Sequence, residues 1–177
     1  MPDRHDKSNA ERGPMKLFEG FEDGEKKIKL GGTTQAAAKR AAEYLLSLDQ
    51  GFHVPSKTER KNILVAFAER GLALHSKAFD IVKSDVTLDY KVLTEVRKNL
   101  RFLVIYEIKS TSNKNVKEDF GRHFFSISPA EMLTAQNLRE RYRFVFVNTL
   151  TNTVLDLSLK EIYEKAKGIY PSWSIQF

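Results

Sequence analysis

Apolar positions along this chain follow two rhythms, and the switch between them lays out the predicted elements. Behind Thr33 or Thr34 as N-cap, QAAAKRAAEYLLSL sets Ala38, Ala41, Ala42, Leu45, Leu46 and Leu48 on one face at helical spacing and stops before Gly51. A second helix is predicted from about Lys57 to Leu74, with Ile63, Leu64 and Phe67 inward, although its ILVAF run also suits a strand. From Ala78 the period shortens. AFDIV, RFLVIYEIKS (101–110), HFFSIS (123–128) and YRFVFVNTL read as strands, with TNTVLDL as hairpin partner of the last. Between the first two, LDYKVLTEVRKNL spaces Leu88, Val92, Val96 and Leu100 as a helix does. SPAEMLTAQNL opens on a capping box, with Ser128 as cap, Pro129 at the first helical position and Glu131 three after the cap. SLKEIYEKAKG is a helix capped by Ser158 and ended by Gly168. The order predicts an α/β (α+β) fold, a single domain with a central mixed sheet flanked by helices.

Ahead of that domain, residues 1–32 are polar, mixed in charge and without sustained period, and Gly31-Gly32 closes them. They read as a loosely ordered arm before a domain at 33–177. Its short apolar patch, Met15, Leu17, Phe18 and Phe21, suits docking onto the domain or a second subunit.

Composition narrows the chemistry. The 177 residues include no cysteine, which excludes disulfides, thiol nucleophiles and cysteine-ligated zinc or iron–sulfur clusters. His5, His53, His75 and His123 are scattered without ligand spacing, which argues against zinc. No apolar run approaches the roughly 18 residues of a membrane span, and the first residues lack a signal peptide's apolar stretch, so a cytoplasmic, intracellular protein is expected. Walker, GxGxxG, GxSxG and HExxH patterns are absent. The net charge is +6, and it is unevenly spread. Residues 97–177 carry thirteen Lys and Arg against eight Asp and Glu, whereas 1–30 balance and 31–96 differ by one. A phosphate backbone would lie on the second half.

The acidic strands hold the candidate chemistry. Phe102, Leu103, Val104 and Ile105 make strand 101–110 apolar on both faces, as a central strand is. With period two, Leu103, Ile105, Glu107 and Lys109 share a face, so a carboxylate and an ammonium meet at its C-terminal end. A plain core strand would avoid the desolvation this costs. Asp80 repeats the theme in AFDIV. Asp80, Glu107 and the carbonyl of Ile108 make an all-oxygen set suited to Mg²⁺, or Mn²⁺ in its place, with Lys109 oriented into the same space. Three Glu-x-Lys triplets occur, at 25, 59 and 107, and only Glu107/Lys109 follows an apolar strand.

Asp80 followed by Glu107-Ile108-Lys109 resembles the PD-(D/E)xK nuclease superfamily of restriction-endonuclease-like fold, without the Pro before the Asp. Within residues 78–148, YEIKST, FFSISPAEMLTAQ and RYRFVFVN resemble the domain at the C-terminus of the plant protein No Vein and its bacterial relatives. The resemblance implies a magnesium-dependent nuclease with Asp80 and Glu107 as ligands and Lys109 as catalytic lysine. It also makes Gln35 and Glu43 on the first helix candidate contributors to the metal site. Ser110, Thr111, Asn113, Lys114, Asn115, Lys117, Arg122 and His123 form a polar, basic loop after the metal-proximal strand, where the resemblance implies phosphates would lie.

Other residues are assigned more plainly. Arg139, Arg141 and Arg143 form a second basic cluster, Asp85 and Asp89 are alternative ligand candidates that turn and cap roles explain more simply, and His123 leads into its strand. Trp173 and Tyr170 suit core or a packing lid. The expected function is a restriction-type endonuclease on double-stranded DNA, acting as a homodimer because one site per chain cuts one strand. The alternatives are a structure-selective or repair nuclease on the same fold and a non-catalytic DNA-binding module, while a structural ion pair is the plainest account of Glu107 and Lys109.

Overall fold

Five helices and five strands follow one another in a computed structural model that describes residues 34–170, within a unit spanning 31–177. In chain order these are α1 (Thr34–Ser47), β1 (Phe52–His53), α2 (Lys57–Ala68), β2 (Ile81–Ser84), α3 (Leu93–Asn99) and β3 (Leu103–Thr111). Then come α4 (Pro129–Leu138), β4 (Tyr142–Asn148), β5 (Thr153–Ser158) and α5 (Leu159–Lys165). The expectations for the arm, Thr33 and Trp173 lie outside the described residues.

The strands form one mixed sheet in the order β1-β2-β3-β4-β5. β2 runs antiparallel to both β1 and β3, β5 runs antiparallel to β4, and β3 and β4 are parallel. A parallel pair needs a crossover, and α4 supplies it. The fold is therefore α+β, with β3 central as its two-faced apolar pattern predicts.

Alternation along the strands divides the core into two layers. Ile81, Tyr106, Ile108, Val145 and Val147 face Ala41 and Leu45 of α1. The opposite side chains, Val82, Leu103, Ile105, Phe144 and Phe146, pack with Ile63 and Phe67 of α2, Val96 of α3, Ala135 and Leu138 of α4, and Leu159 and Ile162 of α5. Glu107 and Lys109 stand on this second face, in register with Phe144 and Phe146.

Local chemistry sets the starts of three helices. Ser56, Ser128 and Ser158 each close a full capping box with Glu59, Glu131 and Glu161. A Ser→Ala change at such a cap costs about 1 kcal/mol. Gly51 is required by space as well as by its φ of +78°, since a Cβ there would sit 2.3 Å from the Ser84 carbonyl oxygen.

Several predicted elements differ. HFFSIS is irregular backbone, because β4 already pairs with β3 and β5 and β3 with β2 and β4, which leaves no central edge for it. ILVAF lies within α2, which ends at Ala68 rather than Leu74, and the chain reverses through Gly71 at a φ of +69°. The AFDIV strand begins only at Ile81, so Asp80 precedes β2. α5 stops at Lys165 because Ala166 is already extended, two residues before Gly168. β1, two residues long, is too short to show a period. Among the described residues no helix is long and apolar enough to cross a membrane.

Candidate active site

β3 delivers Glu107 and Lys109 to the end of a core face, and neighbouring elements close around them. The ammonium of Lys109 lies 3.0 Å from Oε1 of Glu107 and 2.6 Å from Oε2 of Glu131. The same Glu131 oxygen accepts the Ser128 N–H at 3.0 Å, so the capping box of α4 and the ion pair share one atom.

Asp80 reaches the site through the sheet's own geometry. β2 pairs with β3 only as far as Ile81 opposite Tyr106, which leaves the next outward-facing amide of β3, that of Ile108, without a strand partner. The Asp80 carboxylate takes that N–H at 2.9 Å, while the Asp80 amide donates to the Tyr106 carbonyl at 2.9 Å. A side chain thus continues the ladder where the strand stops, and it sets Asp80 beside Glu107.

The turn carrying Asp80 is held from two directions. Arg60 on α2 donates to the carbonyls of Ser76 at 3.0 Å and Phe79 at 2.8 Å, with its guanidinium 3.9 Å above the Phe79 ring. From β4, the buried Tyr142 hydroxyl donates to the Ala78 carbonyl.

Three carboxylates crowd this space. Burial pushes the Glu107 carboxyl up to about 8; Lys109 opposes the shift, and the carboxylates of Asp80 and Glu131 add to it. Asp80 is exposed as a residue, yet its carboxylate is packed against β3. Loss of hydration raises its carboxyl against the pull of the Ile108 N–H, Lys109 and Arg60. Burial likewise raises the Tyr142 phenol, and the three carboxylates reinforce it.

The oxygen donors fit a hard divalent cation in kind. A strand residue's N–H and C=O point to the same side, so the Ile108 carbonyl is directed along the edge where Asp80 binds its amide. A cation there would offset the repulsion from Asp80 and Glu131 that adds to the effect of burial on Glu107. Among the described residues, no group of three or more His, Cys, Asp or Glu side chains is arranged to hold a metal ion.

The other sequence-predicted residues are less concentrated. Ser110 and Thr111 end β3, half-buried, and the Thr111 carbonyl accepts the Thr149 N–H at 2.8 Å. Asn113 holds its own loop, its carbonyl bound by the Asn148 amide at 3.0 Å and its side chain accepting the Asn115 N–H at 2.9 Å. Lys114, Asn115, Lys117 and Arg122 are exposed, and His123 is half-buried, its imidazole pulled down by burial.

Glu43 is not brought to the site. It pairs with Lys39 at 3.7 Å in solvent, and α1 packs on the sheet face opposite Glu107. Gln35 lies in the first turn of α1, and its side chain is outside the described residues. Of the second basic cluster, Arg143 is tied to Asp156 and Glu161, and Arg141 lies 5.3 Å over the Phe67 ring. Asp89 accepts the Lys91 N–H in a tight turn, as its residue type suggests. Tyr170 is 76% exposed instead of packed as core.

Two site residues were not singled out from sequence. Glu131 was legible as a cap, but its second bond to Lys109 depends on where α4 lands. Arg60 carries no local signal, since its partners lie 16 to 20 residues further along the chain. Set against protein-family models, curated proteins and solved structures, the chain matches none.

Proposed function

We propose that the protein is a magnesium-dependent DNA endonuclease of restriction type, built on a restriction-endonuclease-like PD-(D/E)xK core and acting in the cytoplasm on double-stranded DNA as a homodimer. The observation that carries this reading is the bond from the Ile108 amide to Asp80, which brings a carboxylate from the turn before β2 to the strand end that carries Glu107 and Lys109. A structural ion pair between Glu107 and Lys109 would not need Asp80 drawn to the same edge or a third carboxylate at 2.6 Å.

In this reading Asp80, Glu107 and the Ile108 carbonyl hold Mg²⁺ or Mn²⁺, which when bound supplies Lewis-acid polarisation of the scissile phosphate and acidifies water. Lys109 offsets negative charge developing on the phosphate and orients the attacking water, with Glu131 holding its ammonium in place. Lys114, Lys117 and Arg122, exposed on the segment leaving β3, bind backbone phosphates and position the duplex.

Plasmid cleavage with Mg²⁺ and with EDTA tests the reading. Nicking or linearisation in Mg²⁺ alone is expected, lost in Asp80→Ala, Glu107→Ala and Lys109→Ala while folding and DNA affinity persist. DNA binding with no magnesium-dependent cleavage of any substrate would instead make the protein a non-catalytic DNA-binding module.

A further inference from the structure

The segment between β3 and α4 carries aromatic rings both against the core and out in solvent. Phe146 is the register partner of Lys109 on β4 and is buried. Phe125 stands on it, with ring centroids 4.3 Å apart, and is itself 37% exposed. Phe124, beside Phe125 in sequence, is 80% exposed, and its ring neighbour among the described residues is Tyr170, 6.0 Å away. Neither ring is needed to fill the core.

The segments that carry these rings have a net positive charge. Among the described residues, Lys114, Lys117 and Arg122 lie on the segment between β3 and α4 with Glu118 and Asp119, and Lys165 and Lys167 lie where α5 ends with Glu164, which pairs with Lys160 at 3.8 Å. Asp119 already accepts the Gly121 N–H at 2.9 Å. An exposed aromatic face bordered by cations matches a strand of nucleic acid, whose bases stack on rings while its phosphates meet Lys and Arg. Bases inside a duplex are already stacked on each other and have no free face for Phe124. An apolar protein partner would gain nothing from the cations.

We propose that Phe124, with Tyr170 beside it, is a stacking platform for unpaired DNA bases, so that the preferred substrate carries a single-stranded stretch, such as an overhang or flap, next to the duplex. The consequence for cleavage rests on the nuclease reading above, whereas the platform itself is a binding site and is tested without cleavage.

The test is fluorescence anisotropy in EDTA with the full chain, a blunt duplex, the same duplex with a single-stranded overhang, and the overhang strand alone. Stacking of one base predicts overhang DNA binding about tenfold tighter than blunt DNA. Phe124→Ala removes that gain, Phe124→Trp keeps it, and neither changes blunt-duplex affinity or melting temperature. Equal binding of blunt and overhang DNA by the wild type, or undiminished overhang binding by Phe124→Ala, overturns the platform. So does a concentration-dependent dimer that Phe124→Asp splits with DNA affinity unchanged, which makes the patch a self-association face. The two readings fail separately: an overhang preference without magnesium-dependent cleavage removes the nuclease alone, and magnesium-dependent cleavage with equal binding of blunt and overhang DNA removes the platform alone.

Discussion

Lys109 keeps its ammonium closer to Glu131 on α4, at 2.6 Å, than to Glu107 on its own strand, at 3.0 Å. The carboxylate that starts a helix therefore also fixes the lysine's position. Glu131→Gln separates these roles, because an amide oxygen can still accept the Ser128 N–H while the charge is gone. The variant is expected to stay folded and to lose at least about tenfold in magnesium-dependent cleavage, a barrier change of about 1.4 kcal/mol. Cleavage at the wild-type rate would reduce Glu131 to a cap. Glu131→Ala also loses the carboxylate's bond to the Ser128 N–H while keeping the Ser128 cap, and should unfold at lower temperature, by about 1 kcal/mol of stability.

Cation binding can be read without cleavage. Mn²⁺ or Mg²⁺ is expected to raise the melting temperature of the wild type, since a ligand that binds only the folded state stabilises it. Asp80→Asn retains an acceptor for the Ile108 amide but loses its charge, and Glu107→Gln does the same on β3. Both should abolish the metal-dependent shift while remaining folded in EDTA. An unmoved wild-type melting curve at saturating metal would count against the ligand assignment.

Arg60 braces the Asp80 turn through the carbonyls of Ser76, Phe79 and Asp80 and the face of Phe79. Lysine cannot reproduce that planar fork. Arg60→Lys should cost about 2 kcal/mol, the order of a charged hydrogen-bond network. Amide exchange at Asp80 and Ile108 should also accelerate before that of the remaining β3 amides. Unchanged exchange there would show that the turn is held by Tyr142 alone.

Acid stability tests a different carboxylate, away from the site. Burial pushes the Glu59 carboxyl up, but hydrogen bonds from Ser56 and the His53 imidazole 3.1 Å away outweigh it and hold the group below its ordinary 4.5. A carboxyl lowered in the folded state adds stability above its unfolded value and forfeits it as pH falls through the folded one. Wild-type melting temperature should thus drop more steeply below about pH 4.5 than that of Glu59→Gln, which should be the less stable protein at pH 7. Parallel curves for the two proteins would contradict the direction of the shift.

Local rules made much of this molecule legible. Ser128, Pro129 and Glu131 mark the start of α4 because capping is a contact within three residues, and Ser158 with Glu161 marks α5 in the same way. The alternation along Leu103, Ile105, Glu107 and Lys109 was readable because a strand's side chains repeat every two residues whatever surrounds them. HFFSIS misled for the same reason. Its apolar run suits a strand, but strands need a partner edge, and the central edges are taken.

From the sequence by itself came the periodic and the local: the mixed sheet with its flanking helices, the centrality of β3, the pairing of Glu107 with Lys109 on one face, and the caps. Only the tertiary structure decided which distant groups meet. Asp80 is 28 residues from Ile108 and reaches its amide because β2 ends one step short of it. Glu131 is 22 residues from Lys109 and reaches it because α4 crosses over to make β4 parallel to β3. Glu43 is turned away because α1 packs on the other side of the sheet. Periodicity fixes which face a residue takes, whereas strand register and crossover decide what stands opposite it, and those follow from the packing of the whole sheet.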